Sequence, residues 1–84
     1  MAMNAPAPLI RPLSVGERIQ IYRKRGGLSQ DRLAAEVTIS SRQLRRIERG
    51  EDINPGIGTL NRIAATLGIS LATLLFENVG EQIV

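Results

Sequence analysis

The stretch over residues 40–50, S-S-R-Q-L-R-R-I-E-R-G, constrains the fold more than any other part of the chain. At about 100° per residue, Leu44 and Ile47 fall on one side of a helix, where they can bury against a core. Ser41, Arg42, Arg45, Arg46 and Arg49 fall on the other side, within an arc of about 140°. Those four guanidinium groups repel one another unless a polyanion lies across them. Ser40, with Gln43 three residues on, has the form of a capping box and sets the start of the helix. Taken alone, the stretch fits two readings: a solvated basic face on a surface helix, or a helix laid against a polyanion.

The distribution of charge bears on that choice. The formal net charge is only +3, but it is unevenly placed. Residues 11–49 carry Arg11, Arg18, Arg23, Lys24, Arg25, Arg32, Arg42, Arg45, Arg46 and Arg49, against Glu17, Asp31, Glu36 and Glu48. Residues 50–84 carry only Arg62, against Glu51, Asp52, Glu77 and Glu81. A basic half and an acidic half are the electrostatic footprint of a nucleic-acid binder. Nearly all the cations are arginines, which form bidentate contacts with phosphate and with guanine edges.

Composition excludes several classes. A chain of 84 residues is one domain with a small core. Tyr22 and Phe76 are the only aromatic residues, which argues against base stacking on single strands. With no cysteine and no histidine, there is no disulfide framework, no zinc finger, and neither of the usual nucleophiles and bases. The chain reads as a non-enzyme without metal or cofactor. No apolar run reaches the ~18 residues that would span a bilayer. The first residues lack the basic and apolar regions of a secretory signal. The expected location is the cytoplasm.

Along the chain, the sequence predicts short helices and no strand pairs. Residues 1–13 carry three of the chain's prolines and no amphipathic period, so they read as a disordered arm. Arg11 could carry that arm into a minor groove; a floppy terminus is the plainer alternative. Ser14 and Glu17 form a capping box for a first helix over about 15–25, with Val15, Ile19 and Tyr22 as its buried stripe. Gly26 and Gly27 stop it. Ser29 caps a second helix over about 30–36, where Asp31 suits the positive end of the dipole and Leu33, Ala34 and Val37 face inward. A turn at Thr38 and Ile39 leads to the arginine-rich helix. A loop follows, then a fourth helix over about 57–67 with Leu60, Ile63, Ala64 and Leu67 inward. Gly68 ends that helix, and Ser70 caps a short fifth one bearing Leu71, Leu74 and Leu75. Residues 77–84 are read as a tail.

The segment L-S-Q-D-R-L-A-A-E-V-T-I-S-S-R-Q-L-R-R-I-E-R-G resembles the phage repressor/Cro-like helix-turn-helix family, the XRE-type regulators. Gln30 opens the second helix, and Ala34 is small where two helices touch. Val37, Ile39, Leu44 and Ile47 take the motif's apolar positions, and I-E-R-G matches the family's ending of helix 3. The resemblance covers residues 14–76. It implies an all-α, five-helix, lambda-repressor-like domain whose helix-turn-helix is formed by helices 2 and 3.

The resemblance also implies roles. Ser41, Arg42 and Arg46 match the positions that read base edges in the major groove. Gln30, Ser40, Arg45 and Arg49 would hold the DNA backbone. Arg23 and Glu48 match a salt bridge between helices 1 and 3. Three departures stand out. Thr38 occupies a turn position that is commonly glycine, so the turn must change geometry or hold strain. Glu51 and Asp52 sit in the loop after helix 3, where basic residues would aid backbone contact. Gly56 and Gly58 replace the usual capping serine and acid of helix 4.

The function implied is a sequence-specific regulator of transcription that binds double-stranded DNA as a homodimer on a palindromic operator. Helix 5 with the tail, or Ile21, would pair the monomers. The competing function is an antitoxin-like autoregulator that binds a toxin or other protein through its C-terminal half, with Phe76, Val79 and Ile83 in contact.

Overall fold

In the computed structural model, which describes residues 12–52 and 54–76, the chain forms α1 (Val15–Arg25), α2 (Gln30–Val37), α3 (Ser41–Glu48), α4 (Ile57–Leu67) and α5 (Leu71–Phe76). The described residues contain no strand. The disordered arm expected over 1–13, Arg11 included, lies outside the described residues except for Pro12 and Leu13, as do the tail over 77–84 and its Val79 and Ile83.

Serine starts four of the helices by the same chemistry, with Ser70 ahead of α5 accepting from the Thr73 N–H at 3.0 Å. The Ser14 hydroxyl accepts from the Glu17 N–H at 3.1 Å, and the Ser14 N–H donates to the Glu17 carboxylate at 2.8 Å, completing a capping box. Ser29 accepts from the Arg32 N–H at 3.0 Å, and Ser40 from the Gln43 N–H at 3.0 Å. The box expected at Ser40 is therefore half formed. Gln43 is exposed and returns no bond to the Ser40 N–H, so α3 starts on a serine cap alone.

The inward faces of the helices meet in one core. Ile19, Leu33, Val37, Leu44, Ile63 and Leu74 are fully buried, with Ala34, Ile47, Leu60 and Ala64 nearly so. The face that α1 buries is rotated from the expected stripe. Val15 and Tyr22 are only half-buried, while Gly16, Arg18, Ile19 and Arg23 are buried. Apolar periodicity could not show this, because two of the inward residues are arginines and one is a glycine.

Two arginines, Arg18 and Arg62, hold backbone carbonyls at the end of another helix. The Arg18 guanidinium donates to the backbone carbonyls of Leu74 and Leu75 in the last turn of α5, and to Leu13 ahead of α1. These carbonyls of α5 are among the groups a helix end leaves without intrahelical partners. Burial lowers the pKa of Arg18, against the opposing pull of the Glu17 carboxylate. Arg62, read from sequence only as a lone cation in the acidic half, donates to the Val37 carbonyl at the end of α2 at 3.1 Å.

Thr38 resolves its question in favour of strain. It sits at φ 63°, ψ 44°, the left-handed conformation that glycine would take at no steric cost. Its N–H closes α2 onto Ala34 and Ala35. The α2–α3 turn thus has the geometry a glycine would give, with a β-branched residue in place.

Candidate nucleic-acid interface

The site is built on α3, the helix containing Leu44, Ile47 and Glu48 as its buried residues. Around the rest of its circumference, Arg42, Gln43 and Arg46 are exposed, Arg49 is exposed at its C-cap, and Ser41 and Arg45 are half-buried. The side chains of Arg42, Arg45 and Arg46 make no hydrogen bond or ion pair among the described residues. Arg49 lies 3.7 Å from Glu51 in an exposed pair. The cationic face is therefore largely uncompensated, and its neutralisation is left to something outside the fold.

The opposite side of α3 is tied down at its C-terminal end. Arg23 Nε lies 2.7 Å from Glu48 Oε2, and its Nη2 donates to Oε1 at 3.1 Å, a bidentate fork. Its remaining amino group donates to the Leu28 carbonyl at 2.9 Å. Glu48 is only 3% exposed. The lone acid of an arginine-rich helix thus faces α1, where it satisfies a buried cation.

Two further contacts complete this anchor. Gln20 Nε2 donates to the Glu48 backbone carbonyl at 2.9 Å. Gly16 gives α1 its close approach. A Cβ there would lie 2.3 Å from the Ile47 carbonyl oxygen and 2.6 Å from that of Glu48. Neither residue carries a sequence signal for this role, since Gly16 reads only as a spacer inside the capping box.

The remaining site residues lie near the N-terminal ends of α2 and α3. Gln30 Nε2 donates to Glu48 Oε1 at 2.9 Å, which joins the first residue of α2 to the end of α3. Its second amide hydrogen has no assigned acceptor among the described residues. Ser40 uses its hydroxyl as the helix cap. Ser41 donates its hydroxyl proton to Asp31 Oδ1, a tie between α2 and α3 that was missed from sequence, where Asp31 read only as a dipole partner. On the outer side of α2, Arg32 and Glu36 form an exposed pair at 3.4 Å.

No cluster of side chains among the described residues could hold a metal ion. No helix among them is long and apolar enough to cross a membrane. The site offers a rigidly seated helix with free guanidinium groups, suited to binding a polyanion.

Comparison with known proteins gives the same architecture. The helix-turn-helix family model matches residues 19–74. The chain is 42% identical over 76 residues to the HTH-type transcriptional regulator SlrR of Bacillus subtilis, covering 81% of this chain and 50% of that protein. The chain spans about half the length of the curated relatives it matches. Among solved structures, the biofilm regulator SinR in complex with DNA is similar at a TM-score of 0.68 and 38% identity, covering 71% of this chain and 95% of that one. The P22 c2 repressor in complex with a synthetic operator is similar at a TM-score of 0.72 and 29% identity, covering 77% and 97%.

Proposed function

The chain belongs to the helix-turn-helix family, and from that premise we propose that it is a sequence-specific transcriptional regulator that lays α3 in the major groove of double-stranded DNA. The observation that carries this reading is the pairing of an uncompensated arginine face on α3 with a buried anchor behind it. The relatives similar to this chain are transcriptional regulators and not enzymes.

Within this reading, residues 14–76 are the DNA-binding domain. Ser41, Arg42 and Arg46 read base edges. Gln30, Ser40, Arg45 and Arg49 hold the phosphate backbone. Gln30 keeps its bond to Glu48 and offers its second amide hydrogen to a phosphate. Arg49 exchanges its long contact with Glu51 for a phosphate. A single module of this size buries limited surface, so two copies read two half-sites about one helical turn apart. Such a regulator acts in the cytoplasm, where bacterial DNA is found.

The test is a titration of wild type and Arg42→Ala against a set of operator variants. Loss of discrimination at one base position, of about 1–3 kcal/mol, supports base reading by Arg42. An equal loss on every sequence makes Arg42 a phosphate contact and removes it from the reading set.

A second reading has its own observation. Phe76 is 81% exposed and Ile57 is 64% exposed, both in the acidic half of the chain. A large apolar residue left in water at the end of α5 suits a protein partner, as in an antitoxin-like autoregulator. Co-purification of the product of an adjacent reading frame, lost on Phe76→Ser, supports this reading. Retention of that product by Phe76→Ser removes the proposed contact.

A further inference from the structure

The bond between Ser41 and Asp31 has a consequence for which base the helix reads. A serine hydroxyl has one proton to donate and two lone pairs to accept with. An ionised carboxylate only accepts, so in this pair the direction is fixed: Ser41 Oγ donates to Asp31 Oδ1. The single proton of Ser41 is thereby committed within the protein. What the hydroxyl still presents is lone pairs. Ser41 is the first residue of α3 and is half-buried, and the first residues of a recognition helix are those that meet base edges.

We propose that Asp31 sets Ser41 as an obligate acceptor, so that Ser41 selects adenine N6 or cytosine N4 on the strand it faces and rejects guanine and thymine there. In the major groove, adenine and cytosine carry amino donors, while guanine presents O6 and N7, and thymine O4 and a methyl group. An acceptor placed against an acceptor leaves both without a partner, and that is the source of rejection. Ser41 makes the contact, and Asp31 is a positioning residue that acts through it. The inference rests on the proposed placement of α3 in DNA and adds to it the class of base read.

Asp31 also explains itself in these terms. A carboxylate beside a DNA-facing helix repels phosphate and weakens binding to every sequence. It favours the N-terminal dipole of α2 in the free protein, but an acid is not needed there for folding, since Ser29 already caps the helix. Fixing the proton of Ser41 gives the acid a role that only the bound state reveals.

The test is selection of duplexes from a randomised pool by wild type, Ser41→Ala and Asp31→Asn, with affinities then compared on pairs of sites that differ only by inversion of one base pair. Inversion holds composition constant and exchanges donor for acceptor on the strand faced. Ser41→Ala identifies the position, because its preference flattens there and nowhere else. At that position wild type should favour adenine or cytosine by about tenfold over the inverted pair. Asp31→Asn can donate its amide to Ser41, freeing the hydroxyl proton, so it should bind both orientations within about twofold. Its overall affinity should rise on all sequences as a negative charge is lost, so the ratio is the readout. A wild-type preference for guanine or thymine at that position overturns the proposal, as does an unchanged ratio in Asp31→Asn. Absence of any position flattened by Ser41→Ala overturns it while leaving α3 in the groove. Absence of sequence preference in wild type overturns the placement of α3 itself.

Discussion

At the scale of single residues, the two buried arginines of α1, Arg18 and Arg23, show how polar groups can be part of a small core. Arg23 is 8% exposed and meets a carboxylate that is itself buried. A buried pair of this kind contributes little over an apolar pair of the same shape, but losing one partner strands the other. Arg23→Ala is therefore expected to destabilise the fold by about 3–5 kcal/mol, measured by urea denaturation. A replacement of both Arg23 and Glu48 by apolar residues should recover much of that loss. Thr38 offers the opposite case. Relief of its left-handed strain makes Thr38→Gly stabilising by about 1 kcal/mol, read in the same assay. A sequence can flag Thr38 as a departure, but only its backbone angles show that the turn kept the glycine geometry. The pairing of Arg23 with Glu48 was suggested by family resemblance. The involvement of Gln20, Gly16 and Gln30 was not legible, because backbone carbonyls and glycine clearance leave no periodic mark.

At the scale of elements, most of the helix boundaries could be read from serines and glycines. The expected first and fourth helices coincide with α1 and α4, and the second extends one residue further, to Val37. What the pattern could not show is which face of α1 turns inward, since Arg18 and Arg23 replace apolar residues along it. α5 depends on Arg18 most directly. With only six residues, α5 is too short to persist alone, and its last carbonyls are held by that side chain. Arg18→Met should cost about 1–3 kcal/mol per stranded carbonyl group at most. Hydrogen exchange should show α5 losing protection before the other helices. α4 has a reserve instead. Gly58 lies in its first turn, and an added Cβ would sit 3.7 Å from Arg62 Nη1, an ordinary contact. Gly58→Ala should therefore stabilise the domain by about 0.5–1 kcal/mol, seen as a higher Tm.

At the scale of the whole molecule, the fold divides its charges by duty. Arg18 and Arg62 hold backbone carbonyls at the ends of other helices, Arg23 meets the buried Glu48, and the side chains of Arg42, Arg45 and Arg46 on the outer face of α3 remain without partners among the described residues. That division is invisible in a net charge of +3. The central claim is that the outer face of α3 reads double-stranded DNA in two symmetric copies. It is tested most directly by selecting duplexes from a random pool with the wild-type protein and sequencing what is retained. The account predicts an enriched motif of two inverted half-sites with centres about 10 base pairs apart, or a multiple of that spacing. Enrichment of no motif over random duplex, under salt conditions where binding is measurable, would contradict it.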